Sequence, residues 1–271
     1  MDSDKKIAAI IGWPVAHSLS PKLHNYWLKH YGINGEYTAL TIRPEDLAAT
    51  IKSFAAKGFV GGNVTVPHKE TAVPLLDAID EEASAIGAVN TLVIQGGKIF
   101  GRNTDAYGFI ENIRPHLQGR KNKAVVLGAG GASRAVIHAL GKIGFAEIVI
   151  TNRTQEKAEA LAARFGTAAE AWEKRSALLE GADLLVNTTS LGLEGHEPLE
   201  IDLAQLPKSA LVTDIVYRPL MTPLLGQAGA HGNIIVDGLG MLIHQAVPGF
   251  KAWFGVAPPV TEEIRQFLLG G

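Results

Sequence analysis

The sequence predicts an α/β fold of two lobes: an N-terminal α/β lobe, and a doubly wound parallel sheet that follows it. Three observations predict this division. The second half of the chain alternates short apolar runs with helical stretches, which is typical of a parallel sheet covered by helices. The glycine-rich turn that opens such a sheet begins only at Gly128, so a region of comparable size precedes it. A chain of 271 residues is long enough for two such domains.

The second lobe is predicted from five apolar runs of strand length. Helical stretches at Ala132–Lys142 and Gln155–Phe165 separate the first three runs. Gly144 and Gly166 lie near the C-terminal ends of these helices, where glycine commonly ends a helix. The runs are Ala124–Leu127, Glu147–Thr151, Asp183–Asn187, Ala210–Thr213 and Asn233–Val236.

The first lobe has its own alternation of strands and helices. A hairpin is predicted where Ala88–Ile94 precedes Lys98–Arg102, with Gln95-Gly-Gly as the turn. Helices near Leu239–Phe254 and Thr261–Leu269 are predicted to return to this lobe. Its other elements are strands at Ile7–Ile11, Tyr37–Ile42 and Phe59–Val66 and helices near Pro21–His30 and Pro44–Ala56. We assign residues 1–104 with 238–271 to this lobe and 105–237 to the second, with crossings near 104–108 and 237–240.

Composition excludes several classes of function. The formal net charge of −2 gives no reason to expect nucleic acid or an anionic membrane as a partner. Because the chain contains no cysteine, disulfides, cysteine–zinc sites and thiol nucleophiles are excluded. The nine histidines form no pair at metal-binding spacing on one helix face, so no metal is expected. We find neither a signal peptide nor an apolar run of membrane-spanning length, which predicts a cytoplasmic protein.

The turn after Ala124–Leu127 predicts a dinucleotide site in a Rossmann-like lobe. Gly128 permits a tight turn, Gly130 lets the backbone approach a pyrophosphate, and the following helix offers unpaired N–H groups to its charge. Ser133 stands where the third glycine of the fingerprint is usual, a departure that leaves the turn plausible. A cofactor lobe implies that the first lobe holds the substrate. We therefore expect the site in the cleft between the lobes.

The end of the second strand of this lobe indicates which nicotinamide cofactor binds. An NAD site carries an acidic residue there, whereas the sequence Asn152-Arg153-Thr154 has none. Arg153 follows Gly128 by 25 positions, where a 2′-phosphate needs a cation, and Lys157 adds a second charge one turn later. The alternative interpretation is a solvated arginine beside a helix cap. Together with the glycine turn, these basic residues after the second strand predict that the cofactor is NADP.

Two serines in the first lobe form the first polar cluster. Ser18 and Ser20 are separated by one residue, so their hydroxyls can point to the same side and hold a carboxylate or vicinal hydroxyls. Ser20 precedes Pro21, which is also the ordinary signal for the start of a helix. Ser18 has no such structural explanation.

The other two polar clusters of the first lobe each contain one charged residue of interest, Lys69 in the second cluster and Asp105 in the third. Strand alternation places Asn63 and Thr65 on one face, and Pro67 is predicted to start a short helix with Lys69 in its first turn. A helix N-terminus disfavours a cation, so Lys69 indicates a nearby carboxylate or a catalytic task. The alternative interpretation, which the residue taken alone favours, is a solvated surface lysine. Asp105 could cap a helix over 106–115 and still offer one carboxylate oxygen to a partner.

These motifs, in order over nearly the whole chain, resemble the shikimate dehydrogenase family. They are Gly12-Trp-Pro-Val-Ala-His-Ser18-Leu-Ser20-Pro21, Asn63-Val-Thr65-Val-Pro-His-Lys69, Gly87-Ala-Val-Asn90-Thr, Asn103-Thr-Asp105, Gly128-Ala-Gly-Gly-Ala-Ser133, Asn152-Arg-Thr154 and Asp237-Gly-Leu-Gly-Met-Leu-Ile-His-Gln245. The resemblance implies the reversible, NADP-dependent reduction of 3-dehydroshikimate to shikimate, on the pathway to aromatic amino acids.

The resemblance also implies roles for individual residues. Ser18 and Ser20 would hold the substrate carboxylate, and Lys69 with Asp105 would be the catalytic pair. Ring hydroxyls would contact Asn63, Thr65, Asn90, Asp105 and Gln245, and Tyr217 of the second lobe would also touch substrate. Cofactor contacts would come from Gly128, Ala129, Gly130, Gly131, Ala132, Ser133, Asn152, Arg153, Thr154, Lys157, Ile215, Gly238 and Glu81.

Three alternatives stay open at this point. A quinate/shikimate dehydrogenase that prefers NAD is opposed by Arg153 and by the missing acid, and Ser18 keeps the carboxylate pocket ordinary for shikimate. An aminoshikimate dehydrogenase needs only small changes of the pocket. A catalytically silent nucleotide sensor would not need Lys69 and Asp105 together. The chain is expected to act on a small molecule as a monomer or homodimer.

Overall fold

The computed structural model describes residues 5–117 and 119–270. It divides into two compact units, residues 1–105 with 242–271 and residues 106–241, against predicted boundaries at 104/105 and 237/238. The outermost residues of the first predicted lobe, 1–4 and 271, lie outside the described residues. Two helices, α4 (Asp105–Ile113) and α8 (Gly238–Phe254), carry the chain across the division.

The first unit contains a mixed sheet of six strands. The strands are β1 (Lys6–Gly12), β2 (Gly35–Thr41), β3 (Phe59–Val64), β4 (Ala78–Ile79), β5 (Thr91–Gln95) and β6 (Lys98–Arg102). Their order is β2-β1-β3-β5-β6-β4, with β5 antiparallel to both β3 and β6. The helices are α1 (Ser20–His30), α2 (Leu47–Ser53), α3 (Glu81–Ile86) and α9 (Glu262–Leu269), with most of α8. The predicted hairpin across Gln95-Gly-Gly is confirmed.

Several predicted boundaries in this unit are wrong. β3 ends at Val64, and the residues after Pro67 form turns rather than a helix, so Lys69 does not lie in a helix. The predicted helix over 44–56 is a 3₁₀ turn at Pro44–Asp46 followed by the short α2. Only the second part of Ala88–Ile94 is strand. Residues 67–69 therefore stand on an irregular connection at the carboxyl end of β3.

Contacts of Trp253 with Gly61 and Leu92 hold α8 against this sheet. A Cβ on Gly61 would approach the Trp253 indole within 2.2 Å, so only glycine leaves room for that ring against β3. The Trp253 Nε1–H donates to the Leu92 carbonyl at 2.8 Å. Beside it, the His24 ring stacks on Tyr37 at 4.1 Å and lies near Phe250. This packing fixes the part of α8 that carries Gln245.

The second unit contains a fully parallel sheet of six strands. The strands are β7 (Lys123–Leu127), β8 (Glu147–Thr151), β9 (Ala168–Glu170), β10 (Leu184–Asn187), β11 (Leu211–Asp214) and β12 (Ile234–Val236). Besides α4, its helices are α5 (Gly131–Lys142), α6 (Gln155–Phe165) and α7 (Pro223–His231). The order β9-β8-β7-β10-β11-β12 is that of a doubly wound dinucleotide-binding sheet. The predicted fold class is confirmed.

The chain order of this sheet reverses direction between β7 and β10. Ligands of doubly wound folds bind outside the carboxyl ends of the strands at that switch point. Gly128 follows β7, and Thr188 follows β10. The strands are buried and apolar, with Val125, Val126 and Leu185 fully inaccessible. In the described part of the chain, no helix is both long and apolar enough to cross a bilayer.

Candidate active site

Lys69 and Asp105 form a nearly buried ion pair in the first unit. The Lys69 Nζ lies 2.6 Å from Asp105 Oδ2, and the two side chains are 13 % and 6 % exposed. The Lys69 carbonyl accepts a hydrogen bond of 2.8 Å from the Val89 N–H, which anchors the turn that carries the lysine. The carboxylate predicted from the unusual position of Lys69 is therefore present, although the helix that motivated the argument is not.

Asp105 does not cap α4, contrary to the sequence interpretation. Both carboxylate oxygens accept from side chains: Oδ2 from Lys69, and Oδ1 from Asn90 Nδ2 at 2.8 Å. Its own N–H donates to Asn103 Oδ1 at 3.0 Å, so Asn103 holds the start of the helix instead. Asp105 is thus fixed from both sides with its charge directed at Lys69.

Asn90 is the hub of the polar group around this pair. Its Nδ2 also donates to Gln245 Oε1 at 3.1 Å and to Thr104 Oγ1 at 2.9 Å. An amide nitrogen has two hydrogens, so three acceptors share them, and one bond can be redirected to a ligand hydroxyl. Asn90 Oδ1 accepts from the Thr104 N–H and from Thr91. The structure therefore brings together four predicted residues that are distant in the sequence: Lys69, Asn90, Asp105 and Gln245.

Asn63 joins this group through protein contacts. It is 4 % exposed, and its Oδ1 accepts from the Tyr37 hydroxyl. Its Nδ2 donates to the Asn90 carbonyl at 3.0 Å and to Thr91 Oγ1 at 3.3 Å, which accounts for both hydrogens. One acceptor position on Oδ1 is left for a substrate hydroxyl, and the remaining contacts support Asn90.

The contacts of Ser18 and Ser20 differ from those that the sequence predicts. α1 begins at Ser20 itself, which is 2 % exposed, and no side chain caps it. Instead the Ser18 Oγ accepts from the Ser20 N–H at 3.2 Å, so Ser18 has the local structural contact. Thr65 continues from β3, where its N–H donates to the Ile11 carbonyl at 2.9 Å. No hydrogen bond among the described residues joins these three side chains to Lys69 or Asp105.

The glycine turn of the second unit has the geometry of a phosphate loop. Gly128 adopts φ +110°, and a Cβ there would lie 2.6 Å from Thr188 Oγ1. The Gly130 N–H donates to Ser133 Oγ at 3.0 Å, and Ser133 contacts Thr188 at 2.6 Å. Ser133 is fully buried, so its side chain holds the loop in place. The α5 N-terminus therefore presents backbone N–H groups to an anion, as a pyrophosphate requires.

A cavity of about 230 Å³ extends from this loop along the carboxyl ends of β7, β8 and β10. Its lining comprises Gly128, Ala129, Gly130, Asn152, Arg153, Trp172, Thr188, Thr189 and Ser190. The Arg153 side chain is exposed, and the Asn152 amide donates to the Thr154 carbonyl at 2.9 Å, which shapes the turn before α6. Five predicted cofactor residues line one cavity, and NADP fits this set of a glycine loop and a basic strand tip.

The other predicted cofactor residues are not in the lining of this cavity, although Ser133 contacts two residues that are. Ile215 and Gly238 are in contact, since a Cβ on Gly238 would lie 2.4 Å from the Ile215 carbonyl oxygen. Lys157 and Thr154 are exposed at the start of α6. Glu81 is exposed in the first turn of α3, where Asp80 is the N-cap. Tyr217 follows β11 in the second unit, and its predicted contact with substrate stays a prediction.

A buried carboxylate in the second unit is not predicted by the sequence interpretation. Asp214 is fully inaccessible and accepts from Asn187 Nδ2, from the Val216 N–H and from the Thr222 hydroxyl. Burial raises the pKa of Asp214 to about 6, against the lowering effect of these hydrogen bonds. Asn187 in turn accepts from both the N–H and the hydroxyl of Thr189. Asp214 thereby orients the loop that lines the cavity.

A signal for this loop was present in the sequence. Asn187-Thr-Thr-Ser190 is a polar run directly after a predicted strand, in the lobe whose glycine turn predicts a nucleotide site. The acidic partner Asp214 lies 27 residues further on, and its pairing follows only from the parallel register of β10 and β11. Within residues 5–117 and 119–270, no three histidine or carboxylate side chains are grouped to hold a metal ion.

Three family models match successive parts of the chain. They are described as the shikimate dehydrogenase substrate binding domain over residues 10–92, shikimate/quinate 5-dehydrogenase over 111–215, and the shikimate 5′-dehydrogenase C-terminal domain over 238–268. A curated relative from Paramagnetospirillum magneticum, named shikimate dehydrogenase (NADP(+)), is 52 % identical over an alignment of 275 positions, which covers 99 % of this chain and 100 % of the relative.

Solved structures of related enzymes are similar to this chain over nearly its whole length. Shikimate 5-dehydrogenase from Thermus thermophilus, in complex with NADP(H) and shikimate, is 40 % identical, with a TM-score of 0.87 over 97 % of this chain and 98 % of that one. Quinate dehydrogenase from Corynebacterium glutamicum, in complex with NAD, is 31 % identical, with a TM-score of 0.91 over 99 % and 100 %.

Proposed function

The chain belongs to the shikimate dehydrogenase family, and on that premise we propose how its residues carry out the family's reaction. The protein is an NADP-dependent oxidoreductase that reduces 3-dehydroshikimate reversibly to shikimate in aromatic amino-acid biosynthesis. The observation that carries the catalytic assignment is the 2.6 Å ion pair between Lys69 and Asp105, fixed by Asn90. A protein that only sensed nucleotide would have no use for a nearly buried lysine held in this way.

Lys69 is the acid–base group of the reaction. NADPH, when bound, supplies the hydride that adds to the carbonyl carbon. Negative charge then develops on the carbonyl oxygen, and the Lys69 ammonium donates a proton to it, so that the product is a neutral alcohol and a neutral amine. In the oxidative direction the amine accepts that proton. Asp105 holds Nζ in position and stabilises its charged form, which is restored by a proton from solvent.

The substrate contacts follow the hydrogen-bonding capacity of the first unit. Asn90 and Gln245 offer amide groups next to Asp105, and exchange of their mutual bond for bonds to ring hydroxyls leaves no polar atom unsatisfied. Asn63 and Thr65 supply further polar contacts from the end of β3. Ser18 and Ser20 hold the carboxylate with neutral hydroxyl donors. Tyr217 completes the predicted substrate contacts from the second unit.

The cofactor contacts divide between the phosphate loop and the strand tip. Gly128 to Ser133 receive the pyrophosphate at the α5 N-terminus, with Gly131 and Ala132 supplying backbone N–H groups. Arg153, assisted by Thr154 and Lys157, faces the 2′-phosphate that distinguishes NADP from NAD. Ile215, Gly238 and Glu81 are further cofactor contacts. We also infer a cytoplasmic enzyme that acts as a monomer or homodimer, since its substrate belongs to amino-acid biosynthesis.

Initial rates with two substrates and two cofactors test this function. We expect rapid formation of reduced nicotinamide from shikimate with NADP⁺, and much slower rates with quinate or with NAD⁺. Comparable rates with quinate would contradict the specificity assigned to Ser18, and comparable rates with NAD⁺ would contradict the role of Arg153. No turnover with any combination would contradict the catalytic role of Lys69 and Asp105.

A further inference from the structure

Trp172 is the single aromatic side chain in the lining of the cavity beside the phosphate loop, within the part of the chain that the structure describes. We propose that its indole is the stacking surface for the adenine ring of the cofactor. This inference rests on the proposed function, because it assumes that the cavity takes a dinucleotide. Neither the sequence motifs nor the family resemblance assigns a role to Trp172.

Strand register places Trp172 beside Arg153. β8 and β9 are parallel neighbours in which Thr151 pairs with Glu170. Arg153 lies two residues beyond Thr151, and Trp172 lies two residues beyond Glu170. Both residues are therefore equally far beyond a pair of adjacent strand positions. Adjacent strands are about 4.8 Å apart, which brings the two side chains to neighbouring walls of the opening. Both line the same cavity.

The adenosine half of the cofactor is the part that reaches this wall. The glycine loop receives the pyrophosphate, and the end of the second strand faces the adenosine ribose in dinucleotide-binding sheets. Arg153 occupies that position, so a group next to Arg153 meets adenosine rather than nicotinamide. The cavity volume of about 230 Å³ lies below the roughly 300–1,000 Å³ of whole-ligand pockets, which suits one part of a cofactor.

The indole is held in place before any ligand arrives. Trp172 is half-buried and packs against the apolar cluster of the second unit that includes Leu179 and Leu185. The Arg175 guanidinium lies 4.9 Å from its ring centre. Arg175 is itself fixed, since its Nε donates to the Glu200 carbonyl at 2.7 Å and its Nη1 to the Trp172 carbonyl at 3.1 Å. A ring held in this way in the wall of the cavity offers a surface for stacking at little loss of side-chain freedom.

A flat purine is the chemistry that such a wall recognises. Aromatic side chains stack on bases through the π-face, and a guanidinium on the other side of the base adds a cation–π contact. Arg153 can thus contact the base with the plane of its guanidinium and the 2′-phosphate with its N–H groups. Trp172 and Arg153 would enclose the adenine from two sides.

Direct binding of cofactor fragments to the full chain tests the proposal. Adenosine 2′,5′-bisphosphate carries the adenine half, and nicotinamide mononucleotide carries the other. We expect Trp172→Ala to weaken the bisphosphate and NADP⁺ by about 5- to 100-fold, the range of base–aromatic stacking, and to leave nicotinamide mononucleotide unchanged. At saturating NADP⁺, kcat stays within about twofold. Phe165→Ala, which removes a half-buried aromatic side chain outside the cavity, is the matched control with unchanged affinities.

Fluorescence keeps the proposal testable if Trp172→Ala fails to fold. The chain has four tryptophans, and Trp172→Phe removes one with a smaller aromatic ring in its place. We expect the bisphosphate to quench the fluorescence of the parent protein and not the part that remains in Trp172→Phe. Equal affinity of Trp172→Ala and parent for the bisphosphate, or equal quenching in Trp172→Phe, overturns the proposal. Absence of shikimate oxidation by the parent contradicts the proposed function instead, whatever the fragments show.

Discussion

Lys69 provides the most direct test at the scale of single residues. Lys69→Ala removes the group that we propose transfers the proton. General acid–base catalysis contributes about 10²–10⁴-fold, so we expect kcat to fall by at least about 100-fold. The Michaelis constants for shikimate and NADP⁺ should change little. Steady-state kinetics in both directions measure this. Lys98→Ala, an exposed lysine on β6, is the control with unchanged kcat. A change confined to the Michaelis constant for shikimate would be inconsistent with proton transfer by Lys69.

Some residues of the candidate site can be predicted from their neighbours in the sequence, whereas others are placed there only by contacts with distant parts of the chain. Lys69 and Asp105 are singled out by local signals: Asp105 by its position before a helix, and Lys69 by a predicted helix start that the structure does not contain. Asn90, the hydrogen-bond partner of Asp105, and the distant Gln245 carry no such signal, and only family resemblance selects them. Local reasoning also failed for Asp105: it predicted a cap, whereas two side chains from elsewhere in the chain take both oxygens.

At the scale of elements, the turn between β7 and α5 depends on Gly128. Gly128→Ala would place a methyl group 2.6 Å from Thr188 Oγ1 in a backbone conformation that alanine disfavours. We expect the Michaelis constant for NADP⁺ to rise by about tenfold or more, because the loop must shift away from the pyrophosphate position. Binding of NADP⁺ followed by calorimetry measures the loss.

A second glycine of the same unit supplies the control for this prediction. Gly141 lies in α5, and a Cβ there meets nothing within 4 Å. Gly141→Ala should leave NADP⁺ affinity unchanged and stabilise the unit by about 0.5–1 kcal/mol through helix propensity. Equal effects of the two substitutions on NADP⁺ binding would show that the loop tolerates displacement.

We expect the residues at the carboxyl end of β8 to determine which cofactor binds. Arg153→Gln removes the charge that faces a 2′-phosphate and keeps much of the side-chain length. A hydrogen bond to a charged group contributes about 1.5–3 kcal/mol, so the Michaelis constant for NADP⁺ should rise by roughly 10- to 100-fold, with that for NAD⁺ constant. Kinetics with both cofactors measure the ratio, and Arg164→Gln in the last turn of α6 is the control. A parallel rise for NAD⁺ would refute the assignment of Arg153 to the 2′-phosphate.

The elements that the sequence did not predict are short or weakly patterned. β4 and β9 have two and three residues, which is too few for an alternation of polar and apolar side chains to be visible. α7 contains Gly226 and Gly229, which weaken its helical pattern, although Thr222 and Pro223 form a clear start signal. The five predicted strands of the second unit agree with the structure within one residue at every end, because continuous apolar runs are typical of parallel sheets.

At the scale of the whole molecule, the two units should respond oppositely to acid. Burial lowers the pKa of His24 in the first unit to about 3, and neither ring nitrogen has a hydrogen-bond partner in the described structure. Because the unfolded chain binds this proton more readily, stability is lost as pH falls below about 6.5. Asp214 in the second unit has a pKa raised to about 6, so the folded state binds its proton more readily and gains stability as pH falls through that value.

Unfolding of His24→Phe in urea tests this difference. Phenylalanine keeps an aromatic ring in the cluster and removes the titration. Between pH 7 and pH 4.5 the free energy of unfolding of the parent should fall by about 2–3 kcal/mol more than that of His24→Phe, the value of about two pH units of linkage. Asp214→Asn should show the reverse sign. An identical pH dependence of parent and His24→Phe would mean that His24 does not govern the acid response.

The return of α8 to the first sheet has a consequence for the order in which the protein is made. The ribosome releases residues 106–241 before Gln245 and Trp253, so the second unit can fold while the first still lacks the indole that fills the space at Gly61. A nascent or prematurely terminated chain therefore contains the second unit with its glycine turn but lacks Gln245, the hydrogen-bond partner of Asn90. We expect such a chain to bind NADPH and to lack a complete substrate site. The last segment to be synthesised is thus the one that completes the first unit.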